Sequence, residues 1–308
     1  MKNWKFWIDC GGTFTDIIGL KKDGSYKTHK ILSHSPHYKS AVAHGIKEII
    51  GHDDFQKNIS EVRLGTTVAT NAFLENKGIP CALITTLGFR DVLEIRQQNR
   101  PELFDLNISK VSPLYSTVSH VKERIDSDGN VLEPLDLDIA RFELERIKNE
   151  GITSVAISLM HANQNPEHEL KLKELALEMG FDYVAISHEC SSLNHYVART
   201  ETCVIDAYLS PFLKQYTNEL QEILNIDNIY YMTSSGDLCS ADQLKGHNSL
   251  LSGPAGGVIG AIETAKELGH EKIITFDMGG TSTDVALYDG KVNLNIESVF
   301  HGIKILSP

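Results

Sequence analysis

Asp9-Cys-Gly-Gly-Thr-Phe-Thr-Asp16 and Asp277-Met-Gly-Gly-Thr-Ser-Thr-Asp284 are near-copies of one eight-residue string, placed toward opposite ends of the chain. Each combines carboxylates, two glycines and hydroxyl side chains. Without a Cβ in the way, glycine N–H groups approach phosphate oxygens closely, and an Asp at the mouth of such a turn can hold a divalent cation. Both strings follow apolar runs, Phe6-Trp-Ile8 and Ile273-Ile-Thr-Phe276, and both give way to apolar residues again at Ile17-Ile18 and Val285-Ala-Leu287. That context predicts the tip of a β-hairpin each time. Two such tips suit the gripping of one polyphosphate from both sides. Neither a Walker loop nor a dinucleotide-binding glycine fingerprint occurs. A pair of ordinary Gly-rich turns is the bland alternative, and the repetition of the string weighs against it.

The elements around these strings follow from hydrophobic period and breakers. Lys5 to Cys10, Asp16 to Leu20 and Tyr26 to Leu32 read as a three-stranded meander, and Ser40 to Ile50 as a helix. Val62 to Thr67 gives a short strand with Gly65 and two threonines, then a helix to about Asn76. Thr66 and Thr67 either cap that helix or reach a ligand, capping being the commoner use. Pro80 to Thr86 is a strand and Gly88 to Arg96 a helix. Arg90, Arg96 and Arg100 offer an anion site, against the plainer reading of surface ion pairs with Asp91, Glu94 and Glu102. Val118 to Ile125 and Val131 to Leu135 flank the hairpin signal Asp126-Ser-Asp-Gly-Asn130.

From Asp138 onward helix and strand alternate, which predicts parallel α/β architecture, with strands at Ser154 to Leu159 and Asp182 to Ile186. His161, Glu167, His168 and Glu169 have metal-ligating side chains, but acidic residues in a first helical turn are better read as dipole-complementing and solvated. The helical stretch Asn194 to Leu224 is expected to break at Pro211. Ser252-Gly-Pro-Ala-Gly-Gly-Val-Ile-Gly-Ala261 opens a helix with little side-chain bulk, suited to close packing at a hinge, with a phosphate-binding N-terminus as the rival reading.

Composition narrows the partners. A chain of 308 residues has the length of about two domains. A net charge of −12 argues against nonspecific nucleic-acid binding and against an anionic membrane surface, since both need basic patches. A small molecule is the expected partner. The five cysteines form no C-x-x-C pair, no signal-peptide pattern opens the chain, and no apolar run approaches the roughly 20 residues of a membrane span. These features predict a cytoplasmic protein.

Two repeated phosphate hairpins with a small-residue helix before the second resemble the actin, heat-shock chaperone and sugar-kinase superfamily. The wording is more similar still to the hydantoinase/5-oxoprolinase family. The similarity extends over Leu64 to Asn71, Gly88 to Asp91, Arg96 to Pro101, Asn165 to Glu169, Arg199-Thr200, Asp206 to Leu209 and Ser252 to Gly257, besides the two hairpins. The resemblance implies an α/β, ribonuclease H-like actin-type ATPase fold, with mixed sheets and flanking helices, truncated before the adenosine-binding segment. It implies an N-terminal region over 1–188, and over 189–308 the incomplete start of a second region.

The implied activity is ATP-dependent opening of small cyclic amides, hydantoin or 5-oxoproline, by phosphorylation of the carbonyl oxygen. ATP and Mg²⁺ are the implied cofactors. Asp9 and Asp277 would be the catalytic, metal-holding carboxylates, and Gly11, Gly12, Thr13, Thr15, Gly279, Gly280, Thr281 and Ser282 would cradle the phosphates. Asp16 and Asp284 would close the hairpins by side-chain-to-backbone bonds. A second subunit or a C-terminal domain is an expected partner. An acetone-carboxylase-like enzyme is the alternative within the family, and an actin-like nucleotide-binding protein or a sugar or acetate kinase the alternative outside it.

Overall fold

The structure is a computed structural model that describes residues 3–52, 54–98, 104, 106–107, 111–278, 283–292, 296–300 and 302–306. Its elements group into two compact units, each built from separate stretches of chain. The first takes residues 1–77 and 213–294, and the second 78–212 and 295–308.

The first unit begins with the meander β1 (Trp4–Cys10), β2 (Phe14–Lys21) and β3 (Tyr26–Leu32), followed by α1 (Ala41–Ile50), β4 (Ile59–Thr66) and α2 (Val68–Leu74). Alternation along β1 buries Trp4, Phe6, Ile8 and Cys10 and turns Lys5 and Asp9 outward. A period of two thus sets the Asp9 carboxyl on the open face at the end of its strand. Helix α1 covers the buried face, and the Ser40 hydroxyl caps it by accepting from the Ala43 N–H at 3.3 Å.

The second unit has β5 (Cys81–Thr86), the single turn α3 (Val92–Ile95), β6 (Thr117–Val121), the small hairpin β7 (Arg124–Ile125) and β8 (Val131–Glu133), α4 (Leu137–Asn149), β9 (Ser154–Ser158), α5 (Glu167–Glu178), β10 (Tyr183–Ile186) and the turn α6 (Ser187–Cys190). Its main sheet is fully parallel in the order β10-β9-β5-β6. Every residue of β5 and β9 is buried, as strands covered on both faces must be. Leu144, Ile147, Ile157 and Leu172 anchor the core where α4 and α5 meet this sheet.

Helix α7 (Tyr196–Leu224) runs unbroken through Pro211, against the expected break. Proline at 211 leaves the Ala207 carbonyl, four residues earlier, without its helical donor. The Ser154 hydroxyl donates to that carbonyl at 2.6 Å, and the Ile79 N–H donates to the Tyr208 carbonyl at 2.9 Å. External donors replace the lost ones. The chain then returns to the first unit with β11 (Ile229–Met232), β12 (Leu238–Cys239), α8 (Ser252–Glu267), β13 (Ile273–Met278) and β14 (Thr283–Tyr288), and the hairpin β15 (Glu297–Phe300) and β16 (Ile303–Leu306) that follows belongs to the second unit. The first unit's main sheet is mixed, in the order β12-β11-β4-β1-β2-β3, with β1, β4 and β11 parallel.

The expected helix from Gly88 to Arg96 shrinks to the four residues of α3, with Arg96 at φ 50° closing it. Of the stretch Val118 to Ile125, the first part joins the parallel sheet, and only Arg124 and Ile125 pair in the predicted hairpin.

Candidate nucleotide site

The repeated strings fold into the same object twice. In the first hairpin Asp9 pairs with Asp16 across the antiparallel ladder, and in the second Asp277 pairs with Asp284 in the identical register. Gly279, Gly280, Thr281 and Ser282 lie outside the described residues.

The first tip is tightly held. The Gly11 N–H donates to the Phe14 carbonyl at 3.0 Å, and a Cβ on Gly11 would sit 3.0 Å from that oxygen, a tight contact to which the turn would have to yield. Among the described residues, a Cβ on Gly12 would meet the Asn71 amide alone, at 3.7 Å, an ordinary contact distance. Gly12 and Thr13 are exposed. Thr15 differs from the expectation that it cradles phosphate: its side chain is fully buried and its hydroxyl is hydrogen-bonded to Ser33 at 3.0 Å. Ser33 in turn donates to the Gly11 carbonyl at 2.6 Å. Thr15 therefore braces the loop from behind.

Asp16 also departs from its expected role. Its carboxylate pairs with Lys30 on β3, at 2.7 and 2.9 Å, instead of closing the hairpin onto backbone. Asp9 has no such partner among the described residues, and its pKa is raised. Desolvation by the surrounding chain is the largest cause, the negative charges of Asp16 and Asp277 add to it, and Lys30 opposes it. Asp277, 268 positions away in the sequence, thus lies within electrostatic reach of Asp9.

Small residues clear the space around these two carboxylates. A Cβ on Gly65 of β4 would lie 3.6 Å from Asp9 Oδ1, and one on Gly257 of α8 would lie 3.8 Å from Asp277 Oδ2. Helix α8 starts at the end of β4, where the buried Ser252 hydroxyl donates to the Thr66 carbonyl at 3.0 Å. Gly253 faces Thr67, and Gly256 faces Met232. The low-bulk helix therefore packs closely against β4 and β11, and Gly257 leaves its exposed corner toward Asp277 clear.

Thr67 precedes α2 without a side-chain capping bond; its hydroxyl donates to the Cys10 carbonyl at 3.1 Å, tying α2 to the base of the first hairpin. The Thr66 hydroxyl accepts from the Val68 N–H at 3.2 Å. All these residues belong to the first unit. Sequence reading missed Ser33, Gly65 and Asn71 as site-forming residues. Only the glycine carried a visible signal, as a lone Gly inside a strand, which marks close approach of another group.

Other candidates are placed elsewhere. Arg96 pairs with the buried Glu201 at 2.6 Å rather than with Asp91 or Glu94, and Arg100 lies outside the described residues. Glu169 and His168 are buried, not solvated as expected. Glu169 accepts from the Leu159 N–H at 2.9 Å, the Ser187 hydroxyl at 2.6 Å and the His188 ring at 2.7 Å. His168 bonds Glu123 at 2.8 Å, which also accepts from Thr86. Arg199, fully buried, donates to Ser187, Asn163 and two carbonyls. This network joins the loops at the ends of β5 and β9 to α5 and α7, with its donors and acceptors matched.

Comparison with known proteins identifies the family and the fold. The family described as hydantoinase/oxoprolinase N-terminal region matches residues 5–180, and that described as hydantoinase/oxoprolinase matches residues 199–308. The chain is 39% identical to 5-oxoprolinase 1 of Arabidopsis thaliana over 99% of its own length, and it spans 27% of that relative. It is 31% identical to the acetophenone carboxylase gamma subunit of Aromatoleum aromaticum, with 91% of this chain and 42% of the relative covered. Among solved structures, the ATP-dependent caprolactamase from Pseudomonas jessenii superposes with a TM-score of 0.81 at 29% identity, over 92% of this chain and 43% of that one. The architecture is the actin-like ATPase fold.

Proposed function

The chain belongs to the hydantoinase/oxoprolinase family, and from that premise we propose that it is the nucleotide-gripping part of an ATP-dependent hydrolase that opens small cyclic amides. One observation carries the reading. Two hairpins of identical register, distant in sequence, bring Asp9 and Asp277 into one unit with glycines clearing the space around them.

The residues fit Mg²⁺ and ATP. Asp9 and Asp277 are exposed oxygen donors, the ligand type a hard divalent cation takes, and their mutual repulsion is what a cation between them would relieve. Asp9 and Asp277 would hold the metal. When bound, MgATP supplies the phosphoryl group that converts a lactam oxygen, a poor leaving group, into a good one. The exposed Gly12 and Thr13 would offer their N–H groups to the phosphate oxygens, the Gly11 N–H being held by the Phe14 carbonyl, and Gly279 to Ser282 would contribute from the second copy of the string. Ser33 and Thr15 hold the first turn in shape. Lys30, bound to Asp16, removes that carboxylate from competition for the cation. The hydrolysed substrate is a small cyclic amide, and the rest of the longer protein, as a further domain or a second subunit, is the partner. Five free cysteines fit a reduced cytoplasm, and among the described residues no helix is long and apolar enough to cross a membrane.

The test is Asp9→Asn and Asp277→Asn in the longer protein that carries this chain. Each should lower ATP hydrolysis coupled to ring opening of 5-oxoproline by more than about a hundredfold, because a lost metal-holding carboxylate removes several kcal/mol of transition-state stabilisation. Circular dichroism should stay unchanged. Full turnover in either variant would refute the assignment. A second reading, an ATP-dependent carboxylase subunit, is favoured by the similarity to the acetophenone carboxylase gamma subunit. Bicarbonate-dependent rather than water-dependent product formation would select it.

A further inference from the structure

Beside the Asp9 hairpin lies an open cavity of about 440 Å³, lined by Ser33, His34, Ser35, Pro36, Tyr38 and Lys39. Small-molecule sites have volumes of about 300 to 1,000 Å³. The cavity wall is joined directly to the hairpin tip. The Ser33 N–H donates to the Thr13 carbonyl at 2.8 Å, and its hydroxyl donates to the Gly11 carbonyl at 2.6 Å.

The wall is also ordered by its own bonds. Ser35 and Tyr38 form an antiparallel bridge, the Tyr38 hydroxyl donates to the Leu32 carbonyl, and the Tyr38 ring stacks on His44 of α1 at 4.5 Å. With the Ser33 and Tyr38 hydroxyls committed to carbonyls, the polar groups left to a ligand are those of His34, Ser35 and Lys39. The Ser35 oxygen already accepts from the His37 N–H at 3.2 Å, which leaves its proton to donate. Lys39 has no ion pair or hydrogen bond among the described residues, whereas the neighbouring cation Lys30 is taken by Asp16.

Ser35 offers this space a hydroxyl proton, His34 a ring N–H, and Lys39 a full positive charge in a chain of net charge −12. Such a wall selects an anion small enough for the cavity. The nucleotide phosphates already have the hairpin N–H groups, so a second anion beside them belongs to the other reactant. We propose that this cavity binds a carboxylate carried by the cyclic amide, with Lys39 as the ion-pairing cation and Ser35 and His34 as hydrogen-bond donors. The site then favours acidic lactams over neutral ones. The inference rests on reading the Asp9 hairpin as the phosphate site, because Ser33 ties this wall to the tip of that hairpin.

Calorimetry on the longer protein tests it with three probes: 5-oxoproline, its carboxylate-free analogue 2-pyrrolidinone, and Mg²⁺-tripolyphosphate. The wild type should bind 5-oxoproline about tenfold more tightly than 2-pyrrolidinone, as expected for one charge-assisted contact. Lys39→Gln should abolish that preference, Lys39→Arg should retain most of it, and tripolyphosphate affinity should stay the same in all three proteins. No preference in the wild type, or a preference that survives Lys39→Gln, would overturn the proposal while leaving the phosphate site standing. Equal weakening of tripolyphosphate and 5-oxoproline by Lys39→Gln would assign the cavity to the nucleotide and overturn it too. Absence of tripolyphosphate binding in the wild type would overturn both readings.

Discussion

Asp9 and Glu169 show how differently two carboxylates of one chain are used. Asp9 is exposed and its pKa is raised, first by desolvation and then by Asp16 and Asp277. A carboxylate with a raised folded pKa favours the protonated folded form, so its contribution to stability is present below the ordinary value near 3.8 and is lost as pH rises through the raised one. Removing a like charge should reverse part of the shift. Asp277→Asn is expected to lower the Asp9 pKa in a carboxyl NMR titration, and an unmoved titration would place the two side chains out of reach of each other. Glu169, by contrast, is fully buried and accepts from two backbone N–H groups, a hydroxyl and a ring nitrogen. Glu169→Ala should destabilise the second unit by about 3 kcal/mol or more in urea unfolding, because its donors would be left buried and unpaired. A change under about 1 kcal/mol would mean that water replaces the carboxylate. Asp9 was legible in the sequence because its string is repeated. Glu169 was not, because its partners Leu159, Ser187 and His188 come from other segments and carry no local signal.

Elements are positioned by close contacts that a period-based reading only half reveals. Helix α1 lies so close to β2 that a Cβ on Gly45 would overlap Ile17 Cδ1. Gly45→Ala therefore trades better helix propensity for overpacking. We expect a net loss of about 1–3 kcal/mol, read as a lower urea midpoint with unchanged slope. A stabilised variant would show that α1 can shift outward without cost. The hairpins, the α1 span and the parallel strands were readable because alternation and apolar runs report burial directly. The continuity of α7 was not, since the donors that make Pro211 tolerable, Ser154 and Ile79, sit more than 50 and 120 positions before it in the sequence. The ligand side of the site was legible as far as the glycine and aspartate string extends. The bracing by Ser33 and the partnering of Asp16 by Lys30 depend on β3 lying beside β2, which fixes which side chains meet.

At the scale of the whole molecule, the second hairpin carries an uncovered apolar face. Ile274, Phe276 and Met278 on β13 and Val285 and Leu287 on β14 are 60–72% exposed, and the ladder register puts Ile274 against Leu287 and Phe276 against Val285. β13 and β14 pair only with each other among the described strands. A two-stranded sheet with an open apolar face and open edges invites association. The isolated chain should self-associate with increasing concentration in analytical ultracentrifugation, and the triple variant Ile274→Thr, Phe276→Thr, Leu287→Thr should reduce this. Monomeric behaviour of the unmodified chain at high concentration would contradict the expectation. The chain spans 27% of the Arabidopsis relative, and the same experiment on that full-length relative shows whether the further residues of such a protein cover the corresponding face.

Two of the three buried cysteines give the molecule a pair of internal clocks. Cys10 in the first unit and Cys81 in the second are both pushed up to about 12 by desolvation, so at neutral pH each stays a thiol and is shielded from alkylating reagents. Each becomes reactive only while its surroundings are open. The rates at which iodoacetamide marks Cys10 and Cys81, followed by peptide mass spectrometry, would therefore time the opening of each unit separately. Under conditions where opening and reclosing outrun the reagent, a nucleotide held at the Asp9 hairpin should slow the first clock more than the second, and equal slowing of both would mean that the two units open together.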